Sequence, residues 1–89
     1  MNRVTIDGTK IAGLPHLHTV LARELGFPKC YGANLDALYD CLGALCEETV
    51  LTVRHSEALV EALGRRAKGF FKVLKDAQKA NPKLTVCAE

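Results

Sequence analysis

Residues 30–42 read CYGANLDALYDCL, and within them Asp36 and Asp40 stand four apart. On a helix that spacing puts both carboxylates on one face, one turn apart. Such a pair can serve hydrolysis, bind a metal, or present negative charge to a basic partner. One turn of a surface helix offers no cleft, no separate base and no substrate site, so the stretch does not point to an enzyme. Helical phase sharpens the third option. Leu35, Leu38, Leu42 and Leu45 recur at 3–4–3 spacing and define the inward stripe. Asp36 and Asp40 project about a third of a turn from it, at ~100° per residue, and Gly43 continues their row.

Tyr39 falls between the two stripes, at the rim of the core. Asp36 sits near the helix start, where the dipole favours it; Asp40 gains less and feels its like-charged neighbour. No Lys or Arg lies within reach along this helix. Tyr31 and Tyr39 are the only tyrosines, and Gly32 and Gly43 bracket the helix without obstructing approach. Tyrosine beside unpaired charge is a composition of protein-recognition patches. The plainer alternative is a solvated acidic helix face.

The charge map supports a division of labour. The 89-residue chain has a net charge of +2, yet residues 30–53 hold Asp36, Asp40, Glu47 and Glu48 and no cation. Residues 65–83 carry seven basic side chains (Arg65, Arg66, Lys68, Lys72, Lys75, Lys79, Lys83) against Asp76 alone. This basic stretch could contact nucleic acid. Its lysines are also spaced as an amphipathic helix solvates its outer face, which is the favoured reading. Lys72, one turn before Asp76, can partly neutralise that acid.

Length and composition fit one globular domain spanning 1–89, with a small core. MNRVTIDG lacks the apolar run of a signal peptide, and no stretch approaches a membrane span, so the chain reads as cytoplasmic. Cys30, Cys41, Cys46 and Cys87 form no CxxC pair, so zinc and thioredoxin-like chemistry lack support. They read as reduced, partly buried thiols, with Cys30 the most exposed. His16 and His18, two apart on a helix, cannot share a metal and read as surface or helix-end residues; His55 stands alone. Neither a metal nor a cofactor is expected.

The elements that must position the acids follow from periodicity. RVTID alternates as a strand. A helix with Pro15 in its first turn carries Leu14, Leu17, Val20, Leu21 and Leu25 and ends at Gly26. FPKCYGA is a loop, and Asn34 caps the acidic helix. TVLTVRH is a β-branched, nearly continuous apolar strand, expected to be covered on both faces. Ser56 caps a third helix that Gly64 ends. A fourth helix begins near Arg66 or Ala67, carries Phe70, Phe71, Val73, Leu74 and Ala77 inward, and stops at Asn81-Pro82. LTVCA is the last strand. The β-α-α-β-α-α-β order predicts an α/β fold: a small three-stranded parallel sheet packed with about four helices.

The string YGANLDALYDCL closely resembles the core motif of the barstar family, intracellular inhibitors of secreted barnase-like ribonucleases. The resemblance runs along the whole chain, through the opening strand closing in Asp-Gly, the Leu-His and Glu-Leu of the first helix, Asp76-Ala77 and the closing LTV. It implies the same fold and a non-catalytic role, in which the acidic helix and preceding loop fill a ribonuclease active site as a phosphate mimic. On that resemblance Asp40 is the central anion and Asp36 a flanking acid. Tyr31, Gly32, Asn34, Leu35 and Ala37 line the loop and helix start, Tyr39 and Gly43 pack alongside, and Asp76 is an outlying acidic contact. Tyr39 replaces a tryptophan of the family motif, Cys30 an aromatic residue, and Leu45 another tryptophan. The implied partner is a ribonuclease or ribonuclease-type toxin with a basic active site, met by a monomer without membrane involvement. Other readings are an adaptor that docks a different basic protein through the same face, and a nucleic-acid-binding module using residues 65–83.

Overall fold

Val4 and Ile6 alternate with exposed neighbours, and this period-2 pattern sets the first strand, β1 (Asn2–Asp7). In the computed structural model, which describes residues 2–89, a 3-10 turn (Gly8–Lys10) leads to helices α1 (Leu14–Leu25) and α2 (Leu35–Gly43). Strand β2 (Thr49–Arg54) follows, then α3 (Ser56–Leu63), a second 3-10 turn (Gly64–Arg66), α4 (Ala67–Ala80) and strand β3 (Leu84–Ala88). The sheet order is β1-β2-β3, and both pairings are parallel. Fold class and element order are those expected from periodicity.

Register explains where the core lies. Val4 pairs with Leu51 and Leu51 with Val86; one step along, Ile6 pairs with Val53 and Val53 with Ala88. Val4, Ile6, Leu51 and Val53 point to the helices and meet Leu17, Leu21, Leu38, Leu42, Leu59, Phe70, Leu74 and Ala77 in one buried cluster. The alternate rows, Arg3–Val50–Thr85 and Thr5–Thr52–Cys87, face away. Their edge members are exposed and Val50 and Thr52 are half-buried. The expectation that β2 is covered on both faces is therefore wrong. All the helices serve one face, and the threonines of the other tolerate water while keeping the β-branched shape a strand favours.

Helix ends were legible with one exception. Pro15 occupies the first turn of α1, and Gly26 and Gly64 close α1 and α3 in positive-φ conformations. Ser56 does not cap α3. His55 takes the cap position with a left-handed backbone, φ 54°, and makes no side-chain cap bond. The Ser56 N–H and hydroxyl instead both donate to the Glu89 carbonyl, at 2.9 and 2.7 Å. The start of α3 is thereby tied to the end of β3. Phe71 and Val73 are only partly buried beside the core that Phe70, Leu74 and Ala77 enter.

Gly8 is required by close approach. A Cβ there would overlap the His55 carbonyl oxygen and lie 2.8 Å from the Leu59 amide nitrogen. Both are backbone atoms at the start of α3, so neither can rotate away. Gly8→Ala should destabilise the fold by about 2 kcal/mol or more, read as a lowered urea midpoint at unchanged slope.

Candidate functional site

The acidic helix is short and must be held at both ends. Asn34 accepts the Ala37 N–H on its side-chain oxygen at 2.8 Å, the cap expected from sequence. The other end is held from outside the helix. Asn81, only 6% exposed, donates from its side-chain amide to the Leu42 and Leu45 carbonyls at 2.9 and 3.1 Å. Its Oδ1 accepts the Lys83 N–H at 3.0 Å. Carbonyls at and just past the end of α2 thus gain partners at the corner between α4 and β3. Lys83 adds a bond from Nζ to the Cys46 carbonyl at 2.7 Å. Sequence reasoning took Asn81-Pro82 only as a stop for α4. Asn at a helix end can spend its amide on another helix, and its type was the one available signal.

Along its length α2 is anchored by Leu38 and Leu42, both fully buried. Leu35 and Leu45, expected in the same buried stripe, are only half-buried, because they lie at its ends. Leu35 seats against Gly69 of α4, where a Cβ would come within 3.2 Å of its Cδ1. The missing side chain lets the two helices approach closely.

Asp36 and Asp40 are exposed, and Tyr39 is 39% exposed. Leu35, Asp36, Tyr39 and Asp40 from α2 and Lys72, Val73 and Asp76 from α4 line one open hollow of about 450 Å³. The fold therefore brings Asp76, distant in sequence, beside the pair. Two further hollows flank α2. One, of about 620 Å³, is lined by His18, Asn34, Leu35, Asp36 and Arg66 among others. The other, of about 310 Å³, runs past Phe27, Asp40, Cys41 and Leu45. Asp36 belongs to two hollows and Asp40 to two, so each carboxylate stands on a ridge. Gly43 leaves open space, with nothing within 4 Å of where its Cβ would sit. Gly32 is exposed and Ala37 half-buried.

Among the described residues the one ion pair within 4.0 Å is Arg54–Glu89, far from these acids in sequence. Lys72 shares the hollow but pairs with none of the three carboxylates, Asp76 included. No group of three or more His, Cys, Asp or Glu among these residues could hold a metal ion, and no helix among them is long and apolar enough to cross a membrane.

The loop before α2 is fixed by a small aromatic clamp. Tyr31 lies against Phe27, with ring centroids 4.9 Å apart, and its hydroxyl is 2.6 Å from His18 Nδ1. His18 is not a surface residue as expected. It is 3% exposed, because its position on α1 falls beside Leu14, Leu17 and Leu21 on the inward face. Burial lowers its pKa below the usual 6.5. Burial, with the Cys41 thiol nearby, pushes Tyr31 up to about 12. His16 is exposed, as expected, and accepts the Ala12 N–H on Nδ1 at 3.0 Å. All four thiols are free. Only Cys41 is partly buried; Cys30, Cys46 and Cys87 are exposed, so the expectation of partial burial fails for three of them. Burial first, then proximity to Asp40 and Cys30, pushes the pKa of the Cys41 thiol up.

A parallel three-stranded sheet with its helices on one face and an acidic helix held at both ends matches the fold that the barstar resemblance implies. The sequence profile described as Barstar (barnase inhibitor) matches residues 1–87. The chain is also 37% identical over 79 residues to a Bacillus subtilis (strain 168) protein named "Putative ribonuclease inhibitor YrdF", covering 88% of this chain and 87% of that one. The chain belongs to the barstar family.

Two outcomes follow from this geometry. Asn81→Ala removes the side-chain donor to the Leu42 and Leu45 carbonyls and the acceptor of the Lys83 N–H, and should cost about 2 kcal/mol in urea denaturation. His18 resists protonation when folded but not when unfolded. Its contribution is therefore complete above the unfolded pKa of about 6.5 and is lost as pH falls through its lower folded value. Stability measured from pH 8 to 5 should decline below about 6.5, and His18→Gln should flatten that decline.

Proposed function

We propose that this protein is an intracellular, non-catalytic inhibitor of a barnase-like ribonuclease. In this reading α2 and its preceding loop enter the enzyme's basic active site as a phosphate mimic. Asp40 is the central anion, Asp36 flanks it, and Asp76 reaches an outlying cation. Tyr39 and Gly43 pack beside Asp40, while Gly32, Asn34, Leu35 and Ala37 form the rest of the contact. Tyr31 keeps that loop in place through Phe27 and His18.

The observation that supports this most is the hollow between α2 and α4, where Asp36, Asp40 and Asp76 converge and none is ion-paired. No cation among the described residues pairs with them, so no ion pair within the chain offsets their mutual repulsion. A partner's guanidinium and ammonium groups would convert them into charge-assisted hydrogen bonds in a desolvated contact. Family membership and the name of the Bacillus relative agree with this role.

RNA cleavage by purified barnase-type ribonucleases, titrated with the protein, tests the proposal. Wild type should abolish cleavage by at least one of them at stoichiometric ratio. Asp40→Ala should weaken that inhibition by at least ~2 kcal/mol, about thirtyfold in affinity. Unchanged inhibition by Asp40→Ala would show that the active-site plug is wrongly assigned.

A further inference from the structure

The hollow that gathers the three acids also contains a cation. Lys72 lines it together with Asp36, Asp40 and Asp76, yet makes no ion pair within 4.0 Å. Its helical neighbour at i+4 is Asp76, but a lysine N-terminal to its acid is the weaker arrangement of such a pair. Lys72 also belongs to a row. Lys68, Lys72, Lys75 and Lys79 follow one another at steps of four, three and four, so they lie within one narrow stripe of α4. All four are exposed. The three acids outnumber Lys72 inside the hollow, but on its outer side Lys68 and Lys75 flank it, so the rim along α4 is the positive edge and favours an anion there.

A partner whose contact surface is uniformly basic would satisfy the three carboxylates but drive its own cations against Lys72. Like charges brought together at an interface are a source of discrimination between partners. We propose that Lys72 is a specificity determinant that selects a ribonuclease carrying a carboxylate on the lip of its basic cleft, opposite the α2–α4 hollow. This rests on the inhibitor reading above and adds to it the charge pattern of the enzyme. Asp36, Asp40 and Asp76 read the basic floor of the cleft, and Lys72 reads its acidic edge. Enzymes with the floor but not the edge are bound less tightly.

The test uses the full chain and whichever member of a panel of microbial ribonucleases wild type inhibits best. Lys72→Gln, Lys72→Glu, Asp40→Ala and, as a control in the same row outside the hollow, Lys75→Glu are compared by affinity. All three positions are exposed, and urea denaturation confirms that each of the four variants is folded. Lys72→Glu should weaken binding by about tenfold or more, Lys72→Gln by less, and Lys75→Glu by under about threefold in physiological salt. Substituting each acidic residue on the enzyme's cleft edge with Lys should reveal one that restores binding to Lys72→Glu. Equal or tighter binding by Lys72→Glu, or an effect matched by Lys75→Glu, overturns the proposal. So does salt-sensitive RNA binding lost in Lys72→Glu while ribonuclease inhibition is unchanged. A failure of Asp40→Ala to weaken binding counts instead against the inhibitor reading, and a panel with no inhibited enzyme overturns both.

Discussion

An exposed helix of nine residues with two uncompensated carboxylates cannot hold itself in place. Isolated helices of this length are unstable in water, and like charges one turn apart make matters worse. The fold answers with the Asn81 amide, whose two bonds to the end of α2 come from a residue nearly forty positions later. That side chain leaves α4 and β3, fastens α2, and does so without placing a cation near the acids. The bonds from Asn34 and Asn81 that hold the helix are neutral, so its charge stays available. Leu38 and Leu42 supply the burial, Asn34 the opposite cap, and Gly69 the close seat for Leu35.

The sequence made the architecture readable because its signals are local. Strand alternation, the leucine spacing of α2, Pro15, Gly26 and Asn34 each act within a few residues of where they stand. What escaped depends on partners far along the chain. Ser56 looks like a cap, but its hydroxyl is taken by Glu89 once β3 is in place. His18 looks like a surface residue until Tyr31 arrives to bond it. The near-continuous apolar run of β2 suggested two covered faces. Only the register, which sets Val50 and Thr52 among exposed neighbours, shows that one face is left open. Of the site, the acidic pair and the tyrosines were visible in the residues and Asp76 came in through the family resemblance, whereas the hollow that gathers Lys72 with all three acids was not legible.

Net charge is a poor guide to what this molecule presents. A total of +2 conceals an acidic helix and a lysine row carried on facing elements. In physiological salt the Debye length is about 8 Å, so an approaching surface senses the nearest few side chains rather than the sum. The chain can thus be basic overall and still offer an acidic contact. The open row of threonines on the sheet and the exposed thiols lie outside the hollow's lining and leave that local field unaltered.

The hollows on either side of α2 have a mechanical corollary. Because Asp36 and Asp40 each border two of them, a binding surface can reach down both flanks of the helix and straddle it. A saddle resists rolling about the helix axis and sliding across it. Escape then requires lifting along a single direction, against every contact at once. Geometry of this kind lengthens the life of a complex without enlarging its footprint.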